Sequence, residues 1–218
     1  MKKNIFILLV LMIPFLLTGC NKETTLENNM SEITKIYFTA QTDKASANIS
    51  VGEREEFYII DGKHGKNLDF SLISLKFENL LPENQIEVKV NINNVSTNVL
   101  LELNPANHYY MADLGYKLNE NDNISLNYKD ITLNFENVSQ DFEVDYNQAL
   151  KIAKEELGDN INNYYQNSQF KGEGYLRILA GQDEENQGLF WVLTIVGENG
   201  QKNDIVISVI DGKVIIND

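Results

Sequence analysis

The sequence predicts an all-β sandwich followed by a small α+β module, one helix lying on an antiparallel meander. Three observations predict it. Residues 32–142 alternate apolar and polar side chains with a two-residue period almost throughout. One well-marked helix start follows at Asp145. Beyond that helix, Asn199-Gly200 and Asp211-Gly212 punctuate short apolar runs, as turns do between hairpin strands.

Before the sandwich come two segments of another kind. Residues 1–19 read as an export signal: Lys2 and Lys3 open it, and an apolar run from Ile5 to Leu17 follows. A membrane-crossing helix needs about 20 apolar residues, and this run is too short. Leu17-Thr18-Gly19-Cys20 resembles the lipobox of bacterial lipoproteins. The resemblance implies that Leu17, Thr18 and Gly19 are read by the signal peptidase. It also implies that Cys20 becomes the lipidated N-terminus, holding the chain to the outer face of the cell membrane. Cys20 is the single cysteine, so no disulfide can form within the chain. Each buried CH₂ of an acyl chain contributes about 0.8 kcal/mol, so two or three chains anchor firmly. Residues 20–31 are then the lipidated cysteine and a polar tether.

Removing residues 1–19 takes away two lysines and no acid, leaving 16 basic and 32 acidic side chains and a formal charge of −16. Such a surface repels nucleic acid phosphates and anionic lipid headgroups, which argues against both as partners. The abundance of Asn, Lys and Ile, beside the lipobox, suggests a Gram-positive source.

Within residues 32–142, Ile86, Val88, Val90 and Ile92 alternate with Glu87, Lys89 and Asn91, the pattern of a strand with one wet face. Val99, Leu101 and Leu103 repeat it, as do Ile124, Leu126 and Tyr128, then Ile131, Leu133 and Phe135. Leu68, Phe70 and Leu72 share one parity while Ile73, Leu75 and Phe77 share the other, which predicts a bulge or a strand passing between two sheets. Lys129-Asp130 predicts a tight hairpin or a bulge. Seven to nine strands at this spacing suggest an immunoglobulin-like sandwich, and Asp113-Leu114-Gly115-Tyr116 resembles its tyrosine corner.

Residues 143–218 open with Asp145 and Gln148 at N-cap and N3, a capping box, with Val144 placed to staple against Ala149. Tyr146, Ala149, Leu150, Ala153 and Leu157 share a helical face, and Gly158 supplies the stop. Leu189 to Val196 is nearly all apolar and predicts a central strand. Type I′ turns are expected at Asn199-Gly200 and Asp211-Gly212, before Ile205, Ile207 and Val209 and before Val214 and Ile216. The stretch Tyr146 to Ala153, together with Val209-Ile210-Asp211-Gly212-Lys213-Val214, resembles a PepSY-type domain. That family occurs in peptidase propeptides and envelope proteins, so the resemblance implies binding or inhibition.

No catalytic or metal-binding constellation stands out, and none implies a cofactor. His64 and His108 sit in separate polar segments, with no ligand-type neighbour at zinc spacing. No Gly-x-Ser-x-Gly elbow is present. Asp183-Glu184-Glu185-Asn186-Gln187-Gly188 imitates half a calcium loop, but the twelfth position is Thr194, inside an apolar strand, so a solvated loop is expected. Asn119 to Asn123 reads as a turn. Of Tyr109-Tyr110 and Tyr164-Tyr165, adjacency on a strand sends one of each pair to the core and leaves the other for contacts.

The expectation is a non-enzymatic, lipid-anchored envelope protein that binds a protein, a peptide or a cell-wall ligand. The alternative is a modulator of an exported peptidase acting through the C-terminal module. A third possibility is a hydrolase whose carboxylates meet only in three dimensions.

Overall fold

The computed structural model describes residues 25–57, 59–181 and 188–217. Among the described residues the fold is mostly β, with one α-helix and a large open mixed sheet. The strands in chain order begin with β1 (Met30–Gln41), β2 (Ala45–Glu55), β3 (Asn67–Phe77), β4 (Gln85–Ile92) and β5 (Val95–Asn104). Then come β6 (Tyr109–Asp113), β7 (Ile124–Tyr128), β8 (Ile131–Asn134) and β9 (Glu136–Asn137). The helix α1 (Tyr146–Leu157) separates these from β10 (Tyr165–Gln166), β11 (Gln169–Phe170), β12 (Gly172–Ala180), β13 (Leu189–Gly197), β14 (Lys202–Ser208) and β15 (Val214–Asn217).

One sheet runs through both halves in the order β15-β14-β13-β12-β1-β2-β3-β6-β5-β4-β7-β8. The strand that joins them is β1. Along its first residues it pairs in parallel with β12, Ile33 opposite Leu176. Farther along, Phe38 and Thr39 pair with Asn137 and Glu136 of β9. Its other edge carries β2 from Glu32 to Gln41, with a register shift between Thr34 and Ile36.

Two apolar clusters lie against this sheet. One gathers Phe38, Ile49, Val51, Ile73, Leu75, Val88, Leu101 and Leu126 from β1–β8. The other places Ala149, Ala153 and Leu157 of α1 over Leu176, Trp191, Leu193, Ile195, Ile205 and Ile207. Leu26, Met30 and Tyr37 belong to this second cluster. The folded part therefore begins earlier than the polar stretch 20–31 suggests: Leu26 is fully buried and Ser31 lies inside β1.

The helix forms as its sequence dictates. The Asp145 carboxylate accepts from the Gln148 amide at 2.8 Å, and the Gln148 side chain accepts from the Asp145 amide at 2.8 Å. Gly158 caps the other end at a φ of 48°. The Trp191 indole N–H donates to the Val144 carbonyl at 2.7 Å and ties the helix entry to the sheet. β13 is central between β12 and β14, as its apolar run predicts.

Several local expectations are corrected. β3 pairs with β2 without a break from Asn67 to Phe77, so its parity switch is no bulge. Both faces are covered in succession: Phe70 is buried on one, while Ile73, Leu75 and Phe77 are buried on the other. The Asn199-Gly200 and Asp211-Gly212 loops are longer than two residues, because Gly197 pairs with Gln201 and Ser208 with Lys213. In each, positive φ is confined to the glycine. Two-residue turns with both central φ positive occur instead at Asn93-Asn94 and Asn167-Ser168, where asparagine tolerates the left-handed region. At Lys129-Asp130 the expected tight hairpin is present, with Tyr128 opposite Ile131. Tyr116 is 46% exposed and forms no corner. Tyr110 is the tyrosine that bonds back to the chain, donating to the Glu83 carbonyl at 2.6 Å.

Candidate functional site

Across β12, β1, β2, β3 and β6, one sheet face forms a groove of about 560 Å³. Strand alternation puts its lining in register: Glu32 lies opposite Arg54, Tyr37 opposite Ser50, Asn48 opposite Ser74, and Ser74 opposite Met111. Tyr109 and Asn107 close it at the end of β6.

The chain has only two arginines, Arg54 and Arg177, and both line this groove. They are held alike. Arg177 donates to Glu32 at 3.0 Å and sits 4.9 Å over the ring of Tyr175. Arg54 pairs with Asp113 and sits 5.1 Å over the ring of Phe70. Both rings are almost fully buried, at 1% and 2% exposure, so each guanidinium lies on a fixed aromatic platform.

Burial pushes the Glu32 carboxyl above its ordinary value, against the opposing pull of Arg177 and Arg54. The Tyr37 hydroxyl is pushed up to about 12 by burial, with Tyr109 adding to the shift. Lys76 lies 5.6 Å over the Tyr109 ring and orders that rim. The groove thus offers planar cationic donors, a tyrosine edge, and amide and hydroxyl groups along a sheet. This set suits an extended polar ligand that bears carboxylates.

A second polar cluster lies at the end of β2. The buried carboxylate of Glu173, on β12, accepts from the backbone amides of Asp61 at 2.8 Å and Gly62 at 2.6 Å. Glu55 accepts from the Gly65 amide and stands 3.5 Å from His64 Nδ1. The Tyr175 hydroxyl is raised by burial and by the neighbouring Glu173 carboxylate. Both acids hold the backbone of the loop between β2 and β3, each through its Oε1.

The positions singled out from sequence fall as follows. Leu17, Thr18, Gly19 and Cys20 lie outside the described residues, as do Asp183 to Gln187. His108 sits in the turn before β6, far along the chain from His64. Within Asn119 to Asn123, Asp122 accepts from the Asn119 amide at 2.7 Å, which closes a turn. The tyrosine pairs divide as expected: Tyr110 and Tyr164 are buried, while Tyr109 and Tyr165 are partly exposed. The arginine pair was missed. Its sequence signal is scarcity, since the two arginines stand among 16 lysines.

What fold and groove define together is a class: a β-rich chain presenting a polar sheet face. No family model, no curated protein and no solved structure matches this chain.

Proposed function

We propose that this is a lipid-anchored protein of the extracytoplasmic face of the cell membrane, held through Cys20. It acts without catalysis, binding a protein, peptide or cell-wall ligand in the groove of Arg54 and Arg177. The observation that carries the reading is the placement of both arginines, each over a buried ring, in one groove of an acidic chain. Fold alone would not support it. The test is a photo-crosslinking residue at Asn107 in the full chain, expressed in cells, with a second at Asp211 as control. Adducts at Asn107 that disappear in Arg177→Ala support groove recognition. Equal adducts at both positions, or adducts indifferent to Arg177, overturn it.

The finer architecture belongs to this proposal: an immunoglobulin-like sandwich over 32–142, and a PepSY-like α+β module over 143–218. Support for the second comes from the capped helix that packs on β13, β14 and β15. On that basis a second reading has the C-terminal module modulating an exported peptidase. Inhibition of such a peptidase by the whole chain, unchanged by Arg177→Ala, would favour it over the groove.

A further inference from the structure

The loop between β2 and β3 exposes three large apolar side chains within four positions. Phe57 is 76% exposed, Ile59 59% and Ile60 56%. Single exposed apolar residues need no explanation, but a cluster on one short loop does. This loop is not loose. Glu173 and Glu55 hold the amides of Asp61, Gly62 and Gly65, and a Cβ on Gly62 would stand 2.5 Å from the Glu198 nitrogen, so backbone meets backbone there. The fold fixes the base of the loop and leaves its apolar part in solvent.

The position of the loop says what covers it. Glu32 pairs with Arg54, so the end of β2 lies beside the start of β1. Met30 pairs with Gly174, which brings the start of β12 to the same end. The described chain starts at Thr25, which the short 3-10 turn Leu26–Asn29 joins to β1, and five peptide steps separate Thr25 from Cys20. At about 3.6 Å per residue these reach no more than about 18 Å. An acyl chain on Cys20 would therefore keep this end of the sheet close to the bilayer, with the β1–β2 turn at Asp43 about 40 Å away along a twelve-residue strand.

We propose that Phe57, Ile59 and Ile60 insert into the lipid headgroup–acyl boundary beside the anchor, making a second attachment that fixes the tilt of the sheet on the membrane. The inference rests on the lipid-anchor reading. Aromatic and branched apolar side chains carried on a held loop suit that boundary, where burial of apolar area drives binding. Lys63 and Lys66 on the same loop offset Glu56 and Asp61, so the acidity of the whole chain is not concentrated where the loop meets lipid.

The test uses the full lipidated chain, where acylation of Cys20 leaves an introduced thiol as the only reactive one. Ile60→Cys and Asp43→Cys are each labelled with an environment-sensitive dye and reconstituted in phosphatidylcholine vesicles. The expected result is a several-fold brighter, blue-shifted signal at position 60, quenched by lipids brominated near the headgroup, with position 43 aqueous. An aqueous signal at position 60 in a vesicle-bound chain overturns the insertion and leaves the anchor standing. Recovery of the chain in the soluble fraction, with no acyl mass on Cys20, overturns both. An apolar signal at position 60 without vesicles points to self-association, and one seen only in native membranes to a membrane protein; either overturns lipid insertion.

Discussion

A Cβ on Gly52 would fall on the carbonyl oxygen of Ile33, where β2 passes β1 at the register shift between Thr34 and Ile36. Neither backbone can give way without breaking the pairing that joins the two halves. Gly52→Ala should therefore cost about 3 kcal/mol, read as a lower urea midpoint at unchanged slope. Glu32 allows a prediction in pH. Its folded-state pKa is raised by burial, so folding favours the protonated acid. Its contribution is most favourable below the unfolded value and declines as pH rises through the folded one. Relative to wild type, Glu32→Gln should gain stability with rising pH across that window, followed by urea titration at several pH values. A parallel pH profile for the two proteins would refute the assignment. None of this could be read from sequence, because Glu32 meets Arg177 across 145 residues through a parallel pairing that leaves no periodic trace.

At the level of single elements, legibility followed how local the chemistry is. The α1 capping box was readable because Asp145 and Gln148 are three residues apart and bond only each other's backbone. Removing it with Asp145→Ala should cost about 1 kcal/mol, measurable by urea titration followed by far-UV circular dichroism. The hairpin turns were read less well, since Asn-Gly and Asp-Gly favour positive φ but do not fix loop length. Strand register, set by the apolar faces, decided it instead. The β4–β5 turn shows the reverse case: Asn93 and Asn94 take φ of 49° and 71° without a glycine. The Asn93 side chain donates to Asp122 at 2.7 Å and accepts from the Asn123 amide at 3.0 Å, while Asn94 makes no such bridge among the described contacts. Relief of left-handed strain outweighs the entropy of a new glycine, so Asn94→Gly should raise stability by about 0.5 kcal/mol, seen as a higher melting temperature. The same change at Asn93 should lower it.

For the molecule as a whole, the two apolar clusters share β1, and this decides how the chain can be divided. Leu26, Met30 and Tyr37 fill the cluster under α1, yet they precede it by more than a hundred residues. Gly174 leaves room for Leu26 and Met30, since a Cβ there would stand 2.5 Å from the Met30 sulfur. Lys154 of the helix pairs with Glu27, closing the same seam from outside. A fragment of residues 143–218 would lose these side chains and expose the whole edge of β12, whose Glu173 would have no loop amides to bond. A bare edge and an opened core both favour aggregation over folding. The fragment alone should therefore show no cooperative unfolding and little amide protection by hydrogen exchange, whereas residues 25–218 should unfold in one transition with coincident probes. Any test of the C-terminal module against a peptidase then requires the whole chain, and a variant that loosens the seam, such as Leu26→Ala, should weaken the helix side first. Hydrogen exchange in Leu26→Ala that instead lost protection evenly across β1–β8 would overturn this local opening of the helix side below the global transition.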